Sequence, residues 1–404
     1  MATTTSAPPA APKHTEPSSV LTDALLERCR DRVATYDADN RFFTEDFEEL
    51  RDAGYLNLSL PKEFGGAGCT LAEVARAQRR LAYYAPATAL GLNMHLYWVG
   101  VAAELLQNGD RSLEWLLQEA SKGAVFAAGH AESGNDIPLL LSTSRAERVD
   151  GGYRITGHKS FGSLTPVWTF MGLHAMDVSD PAAPKIVHAF VPRGATGCRI
   201  EETWDVLGMR ATSSQDTILD GVFVPDSHIV RVLPAGAAGV DFFILSIFAW
   251  ALIGFGNVYY GMAQYALDRT VETLKKKKSI ALSRPMSYHA EAQHAIAEMG
   301  LELESIGPRL ESVAADWSNG VDHGHGWPAK IVAAKYHAVE GAWRVIDHAL
   351  DLAGGFGIFR RSGLERLFRD ARVGRMHPAN SAFTHELVAK TLLGINPDET
   401  PRWG

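Results

Sequence analysis

From Phe242 to Gly261 the chain carries a single strongly polar side chain, Asn257. A helix that apolar has to be covered all round, by lipid or by other protein segments. Asp241 and Asn257 bracket only about fifteen mostly apolar residues, short of the roughly twenty needed to cross a bilayer. The run Lys275 to Lys278 resembles a positive membrane flank. The length nonetheless argues for a helix enclosed by a bundle, with no membrane involved.

The segments around it supply that bundle. Helical periodicity and punctuation predict helices over Phe242 to Lys276, His289 to Trp317, Pro328 to Leu352 and Ser381 to Leu393. Pro328 suits a first turn and Gly354 a helix end, while Pro308 is expected to kink or split the second helix. Long helices with short connections imply an antiparallel four-helix bundle. From about Ala124 to Val230 the texture is that of short strands: Tyr153 to Ile155, Lys159 to Phe161, Trp168 to Leu173, Ile186 to Val191 and Thr217 to Val224. From Leu21 to about Gly123 the pattern is helical again. Leu25, Cys29 and Val33 share one face, and Leu71, Val74, Ala75, Leu81 and Ala82 another, with Gln78 its polar interruption. A third apolar helix carries Leu90, Leu92, His95, Trp98 and Val101.

The expected organisation is an α+β chain. A disordered tail over 1–20, unlike a secretion signal, precedes an N-terminal helical domain over 21–123. A small β-barrel or sandwich domain over 124–236 follows, and then the C-terminal helical bundle over 237–404. A ligand would be held where these blocks meet.

A net charge of −8 argues against a nucleic-acid partner. Cys29, Cys69 and Cys198 are odd in number and far apart, which fits reduced thiols in the cytoplasm. His323 and His325 lack further ligands in spacing, so no metal site is expected.

The stretch from Leu352 to Ser381 carries the most chemistry. Gly354-Gly355-Phe356-Gly357 lets backbone approach a bulky anionic ligand, or serves only as a flexible turn. Arg369-Asp370-Ala371 follows, then Met376-His377-Pro378-Ala379-Asn380. Earlier come Leu60-Pro61 through Gly68, Ala131-Glu132-Ser133-Gly134-Asn135-Asp136, Gly157 through Ser163, and Leu207-Gly208-Met209-Arg210-Ala211-Thr212-Ser213 followed by Val222 to Pro225. Together, in this order over about residues 22 to 394, they resemble the acyl-CoA dehydrogenase superfamily of flavoproteins.

The resemblance implies FAD between the β domain and the bundle. Phe161 would flank the isoalloxazine and Ser163 would place a hydroxyl near N5, a turn hydroxyl bonded to its own backbone being the alternative reading of Ser163. Ala131, Glu132 and Asn135 would contact the cofactor. Gly354 and Gly355 would admit the pyrophosphate, from a neighbouring subunit in most relatives; Lys277 and Asn380 complete the cofactor set. Self-association as a tetramer or dimer is implied.

The departures are as informative. The position that holds the family's catalytic carboxylate is Pro378, and the alternative position, in the first bundle helix, is Ala251 beside Trp250. His377 is the nearest titratable candidate, with an ordinary pKa of about 6.5; the plainer reading is a packing or helix-cap histidine. His95, Trp98 and Trp250 are expected to line a hydrophobic substrate pocket, with His130 a further candidate facing it. Asp351 would repel a phosphate, and Lys277 stands where relatives have Arg, so FMN or free reduced flavin becomes an alternative to FAD. The Lys275 to Lys278 run either compensates or is a solvated helix end.

Three functions follow. The first is dehydrogenation of an acyl thioester or similar hydrophobic substrate, with an electron-transfer partner. The second is monooxygenation with reduced flavin and O2, served by a flavin reductase and needing no α-proton base. The third is a flavin-binding scaffold without catalysis. The sequence places dehydrogenation narrowly first.

Overall fold

In the computed structural model residues 20–236 and 241–396 are described. The chain opens with helices α1 (Asp23–Asp39), α2 (Thr44–Asp52), α3 (Leu71–Tyr84), α4 (Pro86–Gln107) and α5 (Glu114–Ser121). Thr22 caps α1 by accepting from Leu25 N at 3.3 Å. Thr70 and Glu73 form a capping box on α3, satisfying free N–H groups of its first turn. Gln78, the polar interruption on α3, is fully buried and bonded to Tyr55 Oη, Ala89 O and Asn93 Oδ1. Its polarity is therefore matched inside the core.

Eight strands follow: β1 (Phe126–Gly129), β2 (Arg145–Val149), β3 (Gly152–Gly162), β4 (Phe170–Asp177), β5 (Lys185–Pro192), β6 (Cys198–Glu201), β7 (Gln215–Pro225) and β8 (Ile229–Pro234). They form one sheet in the order β6-β7-β3-β2-β4-β5-β8, with β1 pairing parallel to β4. The expected strands around Tyr153 and Lys159 are one strand, β3, with a register shift between Ile155 and Gly157. β5 and β7 stand far apart in the sheet order yet come into contact, so the sheet wraps around a core of its own that includes Ile155, Leu173, Val187 and Val222.

The last block holds α6 (Phe242–Lys276), α7 (Ala290–Ser318), α8 (Trp327–Ala353), α9 (Leu364–Gly374) and α10 (Ser381–Leu393). α6 has the length and composition of a membrane span, but 83% of its most apolar window is buried inside the protein. It packs against α3, α4, α7 and α8. Two sequence expectations need correction. Pro308 does not split α7, because buried Leu303, Ile306 and Leu310 hold the helix together across the missing backbone bond. The glycine turn leads first through short 3-10 turns, and the Arg-Asp-Ala motif lies on α9, a helix the periodicity did not reveal.

Candidate functional site

The β-domain side of the site is built from two segments that meet edge to edge. Ala131 bridges to Ser160, whose N–H donates to Ala131 O at 2.9 Å. At the end of β3 the backbone of Phe161 turns left-handed, with φ 58, and leaves the ring 60% exposed. Trp204 meets that ring edge-on at 5.8 Å. Ser163 is buried two residues later, its hydroxyl 2.7 Å from that of Ser214, which in turn bonds Thr212. The Ser163 hydroxyl is thus held by neighbouring side chains, not by its own backbone.

Glu132 points the other way. Its carboxylate accepts from the Lys159 ammonium at 2.5 Å and from the Ser142 and Ser144 hydroxyls, and both members of the ion pair are fully buried. Asn135 Nδ2 donates to Glu132 and to Leu141 O. Burial opposes the Glu132 charge, but Lys159 and the hydroxyl donors prevail and bring its carboxyl down to about 2. The Glu132 and Asn135 side chains therefore organise the loop.

On the bundle side, α6 presents Phe255 and Tyr259 to the segment after α9. The His377 ring stacks on Phe255 at 4.7 Å, and its Nε2 lies 2.8 Å from Tyr259 Oη. Burial, with Lys335 adding to it, pushes His377 down to about 3, so the imidazole is neutral at ordinary pH. Lys335 is itself buried, and its ammonium donates to His377 O and Ala379 O at 3.2 Å each. Burial lowers it to about 7. Asn380 accepts from Phe383 N and caps α10, so its side chain serves the helix.

The motifs Leu-Gly-Met-Arg and Arg-Asp-Ala dock on one another and join all three blocks. Asp370 accepts from Met209 N, and Arg369 donates to Leu207 O and in a fork to Asp37 of α1. Arg210 Nε donates to Asp37 O. A Cβ on Gly208 would fall 2.5 Å from the Arg369 carbonyl carbon, so only glycine allows this approach. The most recognisable motifs in the sequence act here as a clamp.

The glycine turn forms a separate locus. Gly354 has φ 64, which favours glycine, and Lys277 Nζ donates to Leu352 O and Ala353 O beside it. Among the described residues no hydrogen bond or ring contact joins this turn to the Ser163 cluster. Of the lysine run, Lys275 pairs with Glu272 on the exposed end of α6.

The residues expected to line a substrate pocket are placed in the core. Both ring nitrogens of His95 meet main chain, at Leu56 O and Phe126 N, and burial lowers its pKa to about 4. Trp98 Nε1 donates to Ala127 O at 3.0 Å. Trp250 packs on Gly100, where a Cβ would come within 2.4 Å of its ring. His130 lies against His174 of β4, Nδ1 to Nδ1 at 3.2 Å.

Sequence reasoning passed over Tyr259, Lys335 and Glu104, since lone polar residues in helices carry no motif. Glu104 accepts from Ser246 Oγ and Trp317 Nε1, at 2.7 Å each, and tethers α4 to α6 and α7. Burial raises its carboxyl above the ordinary range. A raised folded pKa adds stability while the proton is bound and loses it as pH rises from the unfolded value, about 4.3, through the folded one. Glu104→Gln is expected to flatten that decline; thermal midpoints measured upward from about pH 4 would contradict this by retaining the wild-type slope.

Comparison with known proteins matches residues 13–113 to the acyl-CoA dehydrogenase N-terminal domain and residues 253–382 to the acyl-CoA dehydrogenase C-terminal domain. YdbM of Bacillus subtilis, named as an acyl-CoA dehydrogenase, is 29% identical over 374 residues, covering 91% of this chain and 94% of its own. The L-evernosamine nitrososynthase of a Micromonospora species is 26% identical over 392 residues, 94% of this chain and 90% of its own. The structure of KijD3 in complex with FMN and a dTDP-linked amino sugar superimposes with a TM-score of 0.84 at 25% identity, covering 97% of each chain.

Proposed function

Because the chain belongs to the acyl-CoA dehydrogenase superfamily, we propose that it is a flavin-dependent oxidoreductase that uses O2 to oxygenate a small-molecule substrate. The observation that carries this reading is His377. Removal of an α-proton from an acyl thioester needs a base of suitable pKa within reach. The titratable side chains that α6 and the following segment bring together are a neutral, strongly acid-shifted imidazole and a buried phenol. The Asp370 carboxylate, which acts electrostatically on Tyr259, is committed to Met209 N. Lys335, the one neighbouring group brought near neutrality, is held by the His377 and Ala379 carbonyls, so a site so furnished donates hydrogen bonds at neutral pH and offers no unengaged base among these groups.

The residues present fit a flavin. An exposed aromatic ring at Phe161, a buried hydroxyl at Ser163 and the left-handed Gly354 provide a stacking face, a polar contact and a close backbone approach. Ala131 would add main-chain contacts. The bound cofactor would supply the redox chemistry, accepting hydride when oxidised or activating O2 when reduced. FAD is the family's cofactor, and the FMN of the KijD3 complex marks the alternative. Lys277 spends its ammonium on two carbonyls and Asp351 stands exposed nearby, which favours a cofactor held weakly on the adenosine side. Exposed Phe356, Ile358 and Phe359 beside the glycine turn support self-association there. A flavin reductase would be the electron source.

Acyl-thioester dehydrogenation is the second reading, favoured by the naming of relatives such as YdbM. Anaerobic mixing of the purified flavoprotein with a panel of acyl-CoAs separates the two. The flavin absorbance is expected to persist, and O2-dependent product is expected once reduced flavin is supplied; bleaching by any thioester would overturn the proposal. His377→Ala should slow oxygenation by roughly tenfold or more. A flavin-binding scaffold would show neither bleaching nor product.

A further inference from the structure

The Tyr259–His377 contact decides which nitrogen of the imidazole carries its proton. Tyr259 is fully buried, and among the described residues its hydroxyl has one hydrogen-bond partner, His377 Nε2 at 2.8 Å. Two arrangements are conceivable. If Nε2 carried the proton and donated to the phenolic oxygen, the phenol's own proton would be left unpaired in the core. An unpaired buried donor is disfavoured, because its lost hydration is not replaced. If the phenol donates, every proton in the contact is used. Burial drives the Tyr259 hydroxyl well above its ordinary range, so it keeps the proton it donates.

We infer that Tyr259 is a positioning residue that fixes His377 as its Nδ1–H tautomer, with the N–H on the ring edge away from α6. Nδ1 has no partner among the described residues, and His377, though largely covered, keeps some solvent exposure, so this edge is not closed by the core. The ring cannot easily swing to present Nε2 instead. Phe255 stacks against one face at 12° between planes, and the Lys335 ammonium holds the carbonyls on both sides of Pro378. Gly374 lets the Tyr259 ring lie flush, since a Cβ there would come within 2.7 Å of it.

The consequence is chemical. His377 offers a neutral hydrogen-bond donor, so its ligand partner is an acceptor: a carbonyl, phenolate or other oxygen that gains negative charge during reaction. Without Tyr259 the two tautomers would be close in energy, and the imidazole would be as able to accept as to donate. This rests on the reading that His377 serves the reaction, but the tautomer can be measured apart from it.

The flavin-loaded protein, labelled with 15N-histidine, reports the protonation of each ring nitrogen by NMR, and His377→Gln identifies the relevant signals by their loss. The expected spectrum shows Nδ1 protonated and Nε2 bare. In Tyr259→Phe, which keeps the ring on Gly374, the population should shift toward Nε2–H. A protonated Nε2 in the wild type, or an unchanged tautomer in Tyr259→Phe, would overturn the inference. An Nδ1–H tautomer together with an undiminished rate in His377→Ala would leave it standing and would instead sink the catalytic role of His377.

Discussion

Lys159→Met is expected to lower the stability of the protein by about 3–5 kcal/mol, the usual result of leaving one member of a buried ion pair without its partner. Lys159 and Glu132 have no solvent exposure at their side chains, and the carboxylate that would remain charged sits among Ser142, Ser144 and Asn135. Those donors can solvate the charge only in part. Urea unfolding of the single variant and of Lys159→Met/Glu132→Gln measures the effect. The double variant should recover a substantial share of the loss, because the uncompensated charge has gone. A cost below about 1 kcal/mol in the single variant, the range of an exposed pair, would show that the polar loop alone sustains the charge. The pair also sets an acid limit. The Glu132 carboxyl is depressed to about 2 in the fold. Its contribution is therefore complete above the unfolded value near 4.3 and disappears as pH falls through about 2.

The second large effect is at Trp98, where Trp98→Ala should cost about 3–5 kcal/mol. The side chain is 1% exposed. It lies over Gly172, where a Cβ would be 2.3 Å from the indole, and against Phe190 at 4.7 Å between ring centres. Trp98 thus joins α4 to strands β1, β4 and β5 of the sheet. Trp98→Phe keeps part of the ring packing while losing the bond to Ala127 O and leaving a smaller cavity, so its penalty should be smaller. Thermal and urea unfolding of both variants give the ranking. If Trp98→Ala left stability near wild type while widening the range of accepted substrates, the indole would be a pocket wall and not a core wedge.

These two cases show where the sequence was legible. The order of helical, β and helical blocks could be read from periodicity, because a helix and a strand expose their buried faces at different intervals. The enclosed helix from Phe242 could be read from its uncovered apolar length. Family motifs could be recognised because glycine and charged residues at fixed spacing survive as patterns along the chain. None of this reveals direction. Glu132, His95 and Trp98 were set in the cofactor and substrate sites by their place in a motif or on an apolar helix. Their side chains turn to Lys159, to main chain at Leu56 and Phe126, and to Ala127.

The sequence by itself determined the family and the block order, and it puts Pro378 and Ala251 where the resemblance leads one to expect a carboxylate. Only the tertiary structure decided which side chains gather around that segment. Tyr259 and His377 are separated by 118 positions, and Lys335 reaches the same segment from a third helix. A hydrogen-bond network assembled across such distances leaves no periodic trace, because each member contributes one residue and the packing of α6, α8 and α9 alone brings them within reach.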